Sequence, residues 1–550
     1  MKTRINLLPI FFLIICFGFI NSIAQNITKE NIENAEKIIG LNFNDAERDS
    51  MLSLLEEQFG NYQKIHAFEL NNNVSPSIMF NPIPVSFKFN YLQKPVKFSD
   101  YSYTKMPSDK NDLAFYSIGE LAQLIKTKKI TSTELTKFFI DKLKKYDPQL
   151  HCVITLTEEQ AIKQARIADE EIALGKYRGI LHGIPFGVKD LLSTKDYKTT
   201  WGAMPFKDQM LTEDAIIIKK LEDAGAVLIA KLSMGALAWG DVWFGGKTRN
   251  PWDLNRGSSG SSAGPASAVS AGLVPFAIGT ETWGSIVSPS TVCGTTGLRP
   301  TYGRVSRTGA MALSWSMDKI GPICRTAEDI AIVFNTIYGP DGIDQTLYDI
   351  PFNYTSTIDI KGLKIGYLKK DFDKKYDFHE NDSITLAKLK SMGVELIPID
   401  FPDIPINDLA IILSAEAAAA FDDLTRSNKD DMLVRQIKNA WPNSFRASRF
   451  IPAVEYINAN RIRFELIQRM QKLMNEIDIY IAPSFEGDNL LLTNLTGHPC
   501  VVLPNGFSEN GTPTSITFMG KLFDEERLIA FAKAYQDATD FHRKHPPMFK

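Results

Sequence analysis

Residues 260–304 read GSSAGPASAVSAGLVPFAIGTETWGSIVSPSTVCGTTGLRPTYGR. The stretch is crowded with glycine, serine and threonine, yet Ala266 to Val269 and Leu273 to Ile278 are apolar segments suited to burial. Glycine supplies positive φ and close backbone approach, so Gly/Ser turns around a buried apolar run present hydroxyls and amide N–H groups from fixed positions. A flexible Gly/Ser linker lacks interleaved Val, Leu, Ile and Phe. The pattern suits an acyl-transfer site, which needs a nucleophilic hydroxyl and nearby hydrogen-bond donors.

Working outward, Gly183 to Asp190 reads GIPFGVKD, an extended segment punctuated by Gly183, Pro185 and Gly187 that delivers Lys189 at its end. Capping-box spacing at Ser117/Glu120 and Thr131/Glu134 predicts two helix starts, and apolar residues recur at helical spacing after both. Further helices are expected over Glu158 to Leu174, Ile216 to Ala224, Ile411 to Phe421 and Phe523 to His542. Strands are expected at Ala226 to Lys231, Lys364 to Leu368, Val394 to Ile399, Ile477 to Ala482 and Pro499 to Leu503. Helices alternating with short apolar strands argue an α/β sheet core.

The two glycine-bearing stretches together resemble the amidase signature family, whose core pattern is GGSSGGS, an apolar run, then DTGGS, and whose other landmark is GIPFGVKD. The resemblance covers about residues 117–542 and implies an α/β fold with a large mixed β-sheet sandwiched between α-helices. The amidase domain is expected over residues 116–545, with about 338–476 as a divergent region that shapes the substrate cavity. Residues 25–115 read as an N-terminal extension, helical from Asp45 to Phe59 and then looser around Pro76, Pro82, Pro84 and Pro95.

The first 24 residues have the form of a leader. Lys2 and Arg4 precede an apolar run from Ile5 to Ile20, and Ser22-Ile23-Ala24 suits cleavage after Ala24. The expectation is export, to the periplasm or the medium, with no stable membrane insertion once the leader is removed; a retained anchor is the alternative. The mature chain keeps Cys152, Cys293, Cys324 and Cys500, spread singly, so export permits disulfides but the spacing fixes no pairing. The seven histidines are scattered without zinc-ligand spacing. With 550 residues, 44% hydrophobic and a formal net charge of −3, the chain can bury a large core and carries no phosphate-tracking basic face. A small-molecule amide is the expected partner, nucleic acid is not, and a homodimer is compatible with the sequence. Neither metal nor cofactor is expected.

A serine hydroxyl needs a base, and no histidine lies in the motif-bearing core stretch. Lys189, among Ile184, Phe186 and Val188, is the candidate: a desolvated lysine loses its proton more readily. The resemblance implies Ser285 as nucleophile and Ser261 as the relay to Lys189, the two serines standing at the family's spacing. Ser258, Ser259 and Ser262 compete for the relay place, but counting from Asn250-Pro251 and from Gly279-Thr280 both select Ser261. The resemblance also places an oxyanion hole on the backbone N–H groups of Thr282, Trp283, Gly284 and Ser285, and in the family the relay serine follows a cis peptide. Trp283 and Ser262 are expected to meet the substrate.

The sequence departs from the family at this loop. Glu281-Thr282-Trp283-Gly284-Ser285-Ile286-Val287 stands for DTGGSIR, so the carboxylate is longer, one glycine is an indole and the arginine is gone. Trp283 is costly if the backbone there has positive φ. Upstream, Ser259 and Ala263 replace two glycines. Three functions fit: an exported amidase, the A subunit of a tRNA-dependent amidotransferase, and a non-catalytic binding protein on the same scaffold.

Overall fold

The computed structural model describes residues 27–67 and 70–549. The expected leader and its cleavage after Ala24 lie outside the described residues. The chain divides into two compact units after Leu70. In the first, helix α1 (Lys29–Ile39) is capped by Thr28 and helix α2 (Asp45–His66) by Asn44, each with a full capping box. Arg48 of α2 grips Glu36 of α1 at 2.9 Å. Helix α2 runs on past the expected end at Phe59 to His66.

The second unit begins with the proline-rich run, which has no helix until residue 110. Its polar groups find partners on this unit: Ser99 N–H and the Tyr101 hydroxyl both donate to Glu328, at 2.7 and 2.8 Å. Residues 71–115 therefore belong to the larger unit, not to the helical pair.

Helices α3 (Ile118–Lys126) and α4 (Ser132–Leu150) start at the two predicted capping boxes, both of which form. They lead into an eleven-stranded sheet built from β1 (Val153–Leu156), β2 (Pro185–Lys189), β3 (Val227–Leu232), β4 (Phe276–Glu281), β5 (Thr296–Arg299), β6 (Lys319–Cys324), β7 (Lys364–Leu368), β8 (Glu395–Ile399), β9 (Ile479–Pro483), β10 (Cys500–Phe507) and β11 (Pro513–Gly520). Their order is β1-β3-β2-β4-β6-β5-β10-β11-β9-β7-β8. The sheet is mixed: β2 is parallel to β3 and β4, β7 is parallel to β8 and β9, and β6, β5, β10 and β11 join them antiparallel.

Side chains alternate across a strand. Ile479 and Ile481 of β9 enter one hydrophobic core, with α3, α4 and the helix Glu525–Asp537, whereas Tyr480 and Ala482 enter a second, with the helices Ile411–Ala420 and Ala453–Glu476. Both faces are thus covered by helices, which is the α/β architecture the resemblance implies. Cys152, Cys293, Cys324 and Cys500 are all buried and free. Among the described residues, no helix is long and apolar enough to cross a membrane.

Candidate active site

The sheet order brings the two sequence landmarks together. Strands β2 and β4 are parallel neighbours, Val188 opposite Ile278, so Lys189 at the end of β2 lies beside Thr280 near the end of β4. The Gly/Ser loop returns to the same place from the far side. The Gly260–Ser261 peptide is cis, and Lys189 Nζ stands 2.8 Å from Ser261 Oγ, which in turn stands 2.9 Å from Ser285 Oγ. All three residues are buried, Ser285 retaining 8% exposure.

Lys189 is fully buried, and burial holds it down at about 7 against the upward pull of Asp318 and Glu281. The expected lowering is present, but its source differs from the neighbours named in the sequence. Phe186 and Val188 alternate with Lys189 and face the other side of the sheet, where Phe186 stacks on Phe276 at 5.4 Å. Lys189 is instead enclosed by the Ser261 loop and by Thr280, whose hydroxyl accepts from Nζ at 2.8 Å and whose carbonyl accepts at 3.4 Å. A neutral amine has two N–H groups and one lone pair. With the amine protonated, Nζ donates to Ser261 Oγ and Ser261 donates to Ser285 Oγ; once it is neutral, Thr280 takes both N–H groups, the lone pair accepts the Ser261 hydroxyl, and the line turns so that Ser261 Oγ can accept from Ser285. Sequence reasoning missed Thr280; the signal was its place five residues before Ser285 on a strand next to β2.

Next to Lys189, Asp190 is no surface group. It pairs with Lys231 of β3 at 3.1 Å, both fully buried, and accepts from the Thr200 N–H and hydroxyl at 2.8 and 2.5 Å. This anchors the end of β2 and so the direction of Lys189.

The loop carrying Ser285 is fixed from below. The Glu281 carboxylate accepts from the N–H groups of Ile286 and Val287 at 2.8 and 2.9 Å, from Asn494 at 2.8 Å and from Arg299 of β5 at 2.8 Å. Burial pushes Glu281 up, but Arg299, Asn494 and the Val287 N–H outweigh it and hold the carboxyl at about 2. Val287 stands where DTGGSIR has arginine, and the carboxylate takes its cation, Arg299, from another strand. The expected strain at Trp283 is absent as well: the positive φ, 85°, belongs to Gly284, while Trp283 takes an ordinary conformation and is 43% exposed. Within the described chain, no hydrogen bond engages the backbone N–H groups of Trp283, Gly284 or Ser285.

Two of the three competing serines are accounted for. Ser258 is buried and donates to Ser259 O at 2.9 Å. Ser262, expected at the substrate, is fully buried and spends its hydroxyl on Thr280, donating to the carbonyl at 3.0 Å and accepting from the N–H at 3.1 Å. It braces the loop against β4 and has no face left for a substrate.

Fold and relatives together define an amide-hydrolysing enzyme. Residues 134–492 match the family described as Amidase. The A subunit of the glutamyl-tRNA(Gln) amidotransferase of Coxiella burnetii is 33% identical over 481 residues, spanning 78% of this chain and 99% of its own length. The native peptide amidase of Stenotrophomonas maltophilia superposes with a TM-score of 0.72 at 27% identity, covering 80% of this chain and 100% of that one. An amidase family protein of Bacillus anthracis gives 0.71 at 28%, covering 80% and 93%. The chain belongs to the amidase signature family.

Proposed function

We propose that the protein is an exported amidase that hydrolyses a carboxamide C–N bond through an acyl-enzyme on Ser285. The observation that carries this reading is the unbroken line from Lys189 Nζ through Ser261 Oγ to Ser285 Oγ, at 2.8 and 2.9 Å, with the lysine brought to about 7. Neutral Lys189 takes a proton from Ser261 as Ser261 takes one from Ser285, and Ser285 Oγ attacks the amide carbonyl. The N–H groups of Thr282 to Ser285 receive the charge on the carbonyl oxygen. The proton returns through Ser261 to the leaving nitrogen, and water repeats the sequence on the ester. The exposed indole of Trp283 walls the acyl side of the site.

The leader read at residues 1–24 supports work outside the cytoplasm, where the whole reaction is hydrolysis to the acid. A second reading is favoured by the 33% identity to the A subunit of an amidotransferase, which would use glutamine in company with partner subunits. One experiment separates them. The protein expressed with its leader is recovered from outside the cytoplasm, its N-terminus is determined, and it is given glutamine, primary amides, aryl amides and peptide amides. We expect an N-terminus at Gln25, turnover of one non-glutamine class by the isolated chain, and none by Ser285→Ala. Cytoplasmic retention with activity on glutamine alone would favour the amidotransferase reading; full turnover by Ser285→Ala would end the nucleophile assignment.

A further inference from the structure

Asp318 lies immediately before β6. Because β6 runs antiparallel to β4, with Lys319 opposite Glu281, the Asp318 carboxyl arrives beside the loop that carries Ser285. One of its oxygens accepts the Thr282 hydroxyl at 2.5 Å. The other accepts the N–H groups of Leu313 and Ser314 at 2.8 and 3.0 Å.

The segment held by that second oxygen is gripped from its other side by the divergent region. Glu416, on the helix Ile411–Ala420, accepts from the Ser314 hydroxyl at 2.6 Å, from the Ser316 N–H at 3.0 Å and from the Ser316 hydroxyl at 2.7 Å. It also accepts the Tyr456 hydroxyl, at 2.8 Å, from the helix Ala453–Glu476. Arg463 of that same helix donates to Ser316 Oγ and Ser316 O at 2.8 and 2.9 Å. Ser314, Ser316, Glu416 and Arg463 are all buried.

We propose that Asp318 is a positioning residue for amide hydrolysis: through Thr282 it fixes the oxyanion loop relative to Ser285, and through residues 313–316 it ties that loop to the two helices of the divergent region. The inference rests on the roles assigned above to Ser285 and Lys189. Donors stabilise a developing oxyanion only if they are fixed before it forms, and a displacement of about 1 Å costs about a hundredfold in rate. Without Asp318 the side-chain tether of Thr282 is gone, and the loop is held from the Glu281 side. Asp318 also acts on Lys189. Burial lowers the lysine, and the two carboxylates facing it, Asp318 and Glu281, raise it; Lys231 on the neighbouring strand is already paired with Asp190.

The test uses the full chain with Asp318→Asn, Thr282→Val and the double variant. Asparagine keeps the shape, and its oxygen still accepts from Leu313 and Ser314. For Asp318→Asn we expect kcat to fall about tenfold or more with KM little changed. The acid limb of the kcat/KM profile should move to lower pH, because Lys189 loses a charge that raised it. Thr282→Val should lose a similar factor in kcat with the limb in place, and the double variant should be no slower than Thr282→Val alone. A serine-directed acylating probe should still label Ser285 in Asp318→Asn; absence of labelling in the unaltered protein would instead undo the nucleophile assignment. The proposal is overturned if Asp318→Asn keeps its kcat, or loses it with the acid limb unmoved, as a merely structural role would give. Should that variant fail to fold, an unchanged kcat in Thr282→Val overturns it equally.

Discussion

Replacing Lys189 with methionine should make the protein inert and at the same time more stable, with a gain that shrinks as pH rises. Burial brings the Lys189 ammonium from 10.5 to about 7, a difference corresponding to roughly 5 kcal/mol. Below that folded-state value, both the folded and the unfolded chain carry the proton, and the folded state bears the whole cost. Between about 7 and 10.5 the unfolded chain binds a proton that the folded chain lacks, so the stability of the unaltered protein climbs with pH. Above 10.5 neither state binds it. Methionine fills similar space without a charge and has none of this dependence. The exchange orphans the Thr280 hydroxyl, and a buried unsatisfied hydroxyl costs about 1–3 kcal/mol. The net gain is then about 2–4 kcal/mol on the acid side of neutrality, turning to a small loss near the lysine's ordinary value. Urea unfolding of both proteins across this range measures it, since the other titrating groups are shared and cancel in the difference. A difference that stays flat with pH would refute the reasoning, for then burial is not what lowers Lys189.

Two more outcomes follow from the loop that carries Ser285. Arg299→Met leaves the Glu281 carboxylate buried without its cation, and should destabilise the fold by about 3–5 kcal/mol, read as a lower urea midpoint; a midpoint within error of the unaltered protein would mean that Asn494 and the two backbone N–H groups suffice. Trp283→Gly removes a side chain that is 43% exposed from a position of ordinary φ, so the loop should keep its path and the range of accepted amides should widen. An unchanged substrate profile across an amide panel would remove Trp283 from the pocket wall.

What could be read in the sequence was local. The strand Lys364–Leu368 falls where the apolar run places it, the helix Glu158–Ala173 ends one residue early, and the helices after Ser117 and Thr131 begin at their caps, because each signal lies within a few residues of the element it sets. The Lys189, Ser261 and Ser285 alignment was legible because two motifs carry it. The partners that fix those residues were not. Arg299 reaches Glu281 from β5, which β6 separates from β4 in the sheet; Asn494 comes from 213 residues away; and Asp318 meets Thr282 only because β6 doubles back along β4. The role given to Ser262 failed for a similar reason: its neighbour in space, Thr280, is not its neighbour in sequence. Trp283 was misjudged by analogy, since of the two positions that are glycine in the family pattern only Gly284 is left-handed here.

The place of β5 in the sheet has a consequence for how the chain is made. Thr296–Arg299 is bordered on one side by β6, a short way downstream, and on the other by Cys500 to Val502 of β10. A ribosome delivers the first border soon after β5, and the second only when His498, 199 residues beyond Arg299, and the strand after it have been added. Throughout that interval the N-terminal half presents an open strand edge, a template for pairing with another chain. Arg299 can pair with Glu281 in this half-built state, but its second bond, to His498 O, cannot yet form. The nascent sheet therefore stays in two separate pieces until both β10, which covers β5, and β11, which pairs β10 with β9, have been added, and a chain whose synthesis stalls before β10 is left exposed to aggregation.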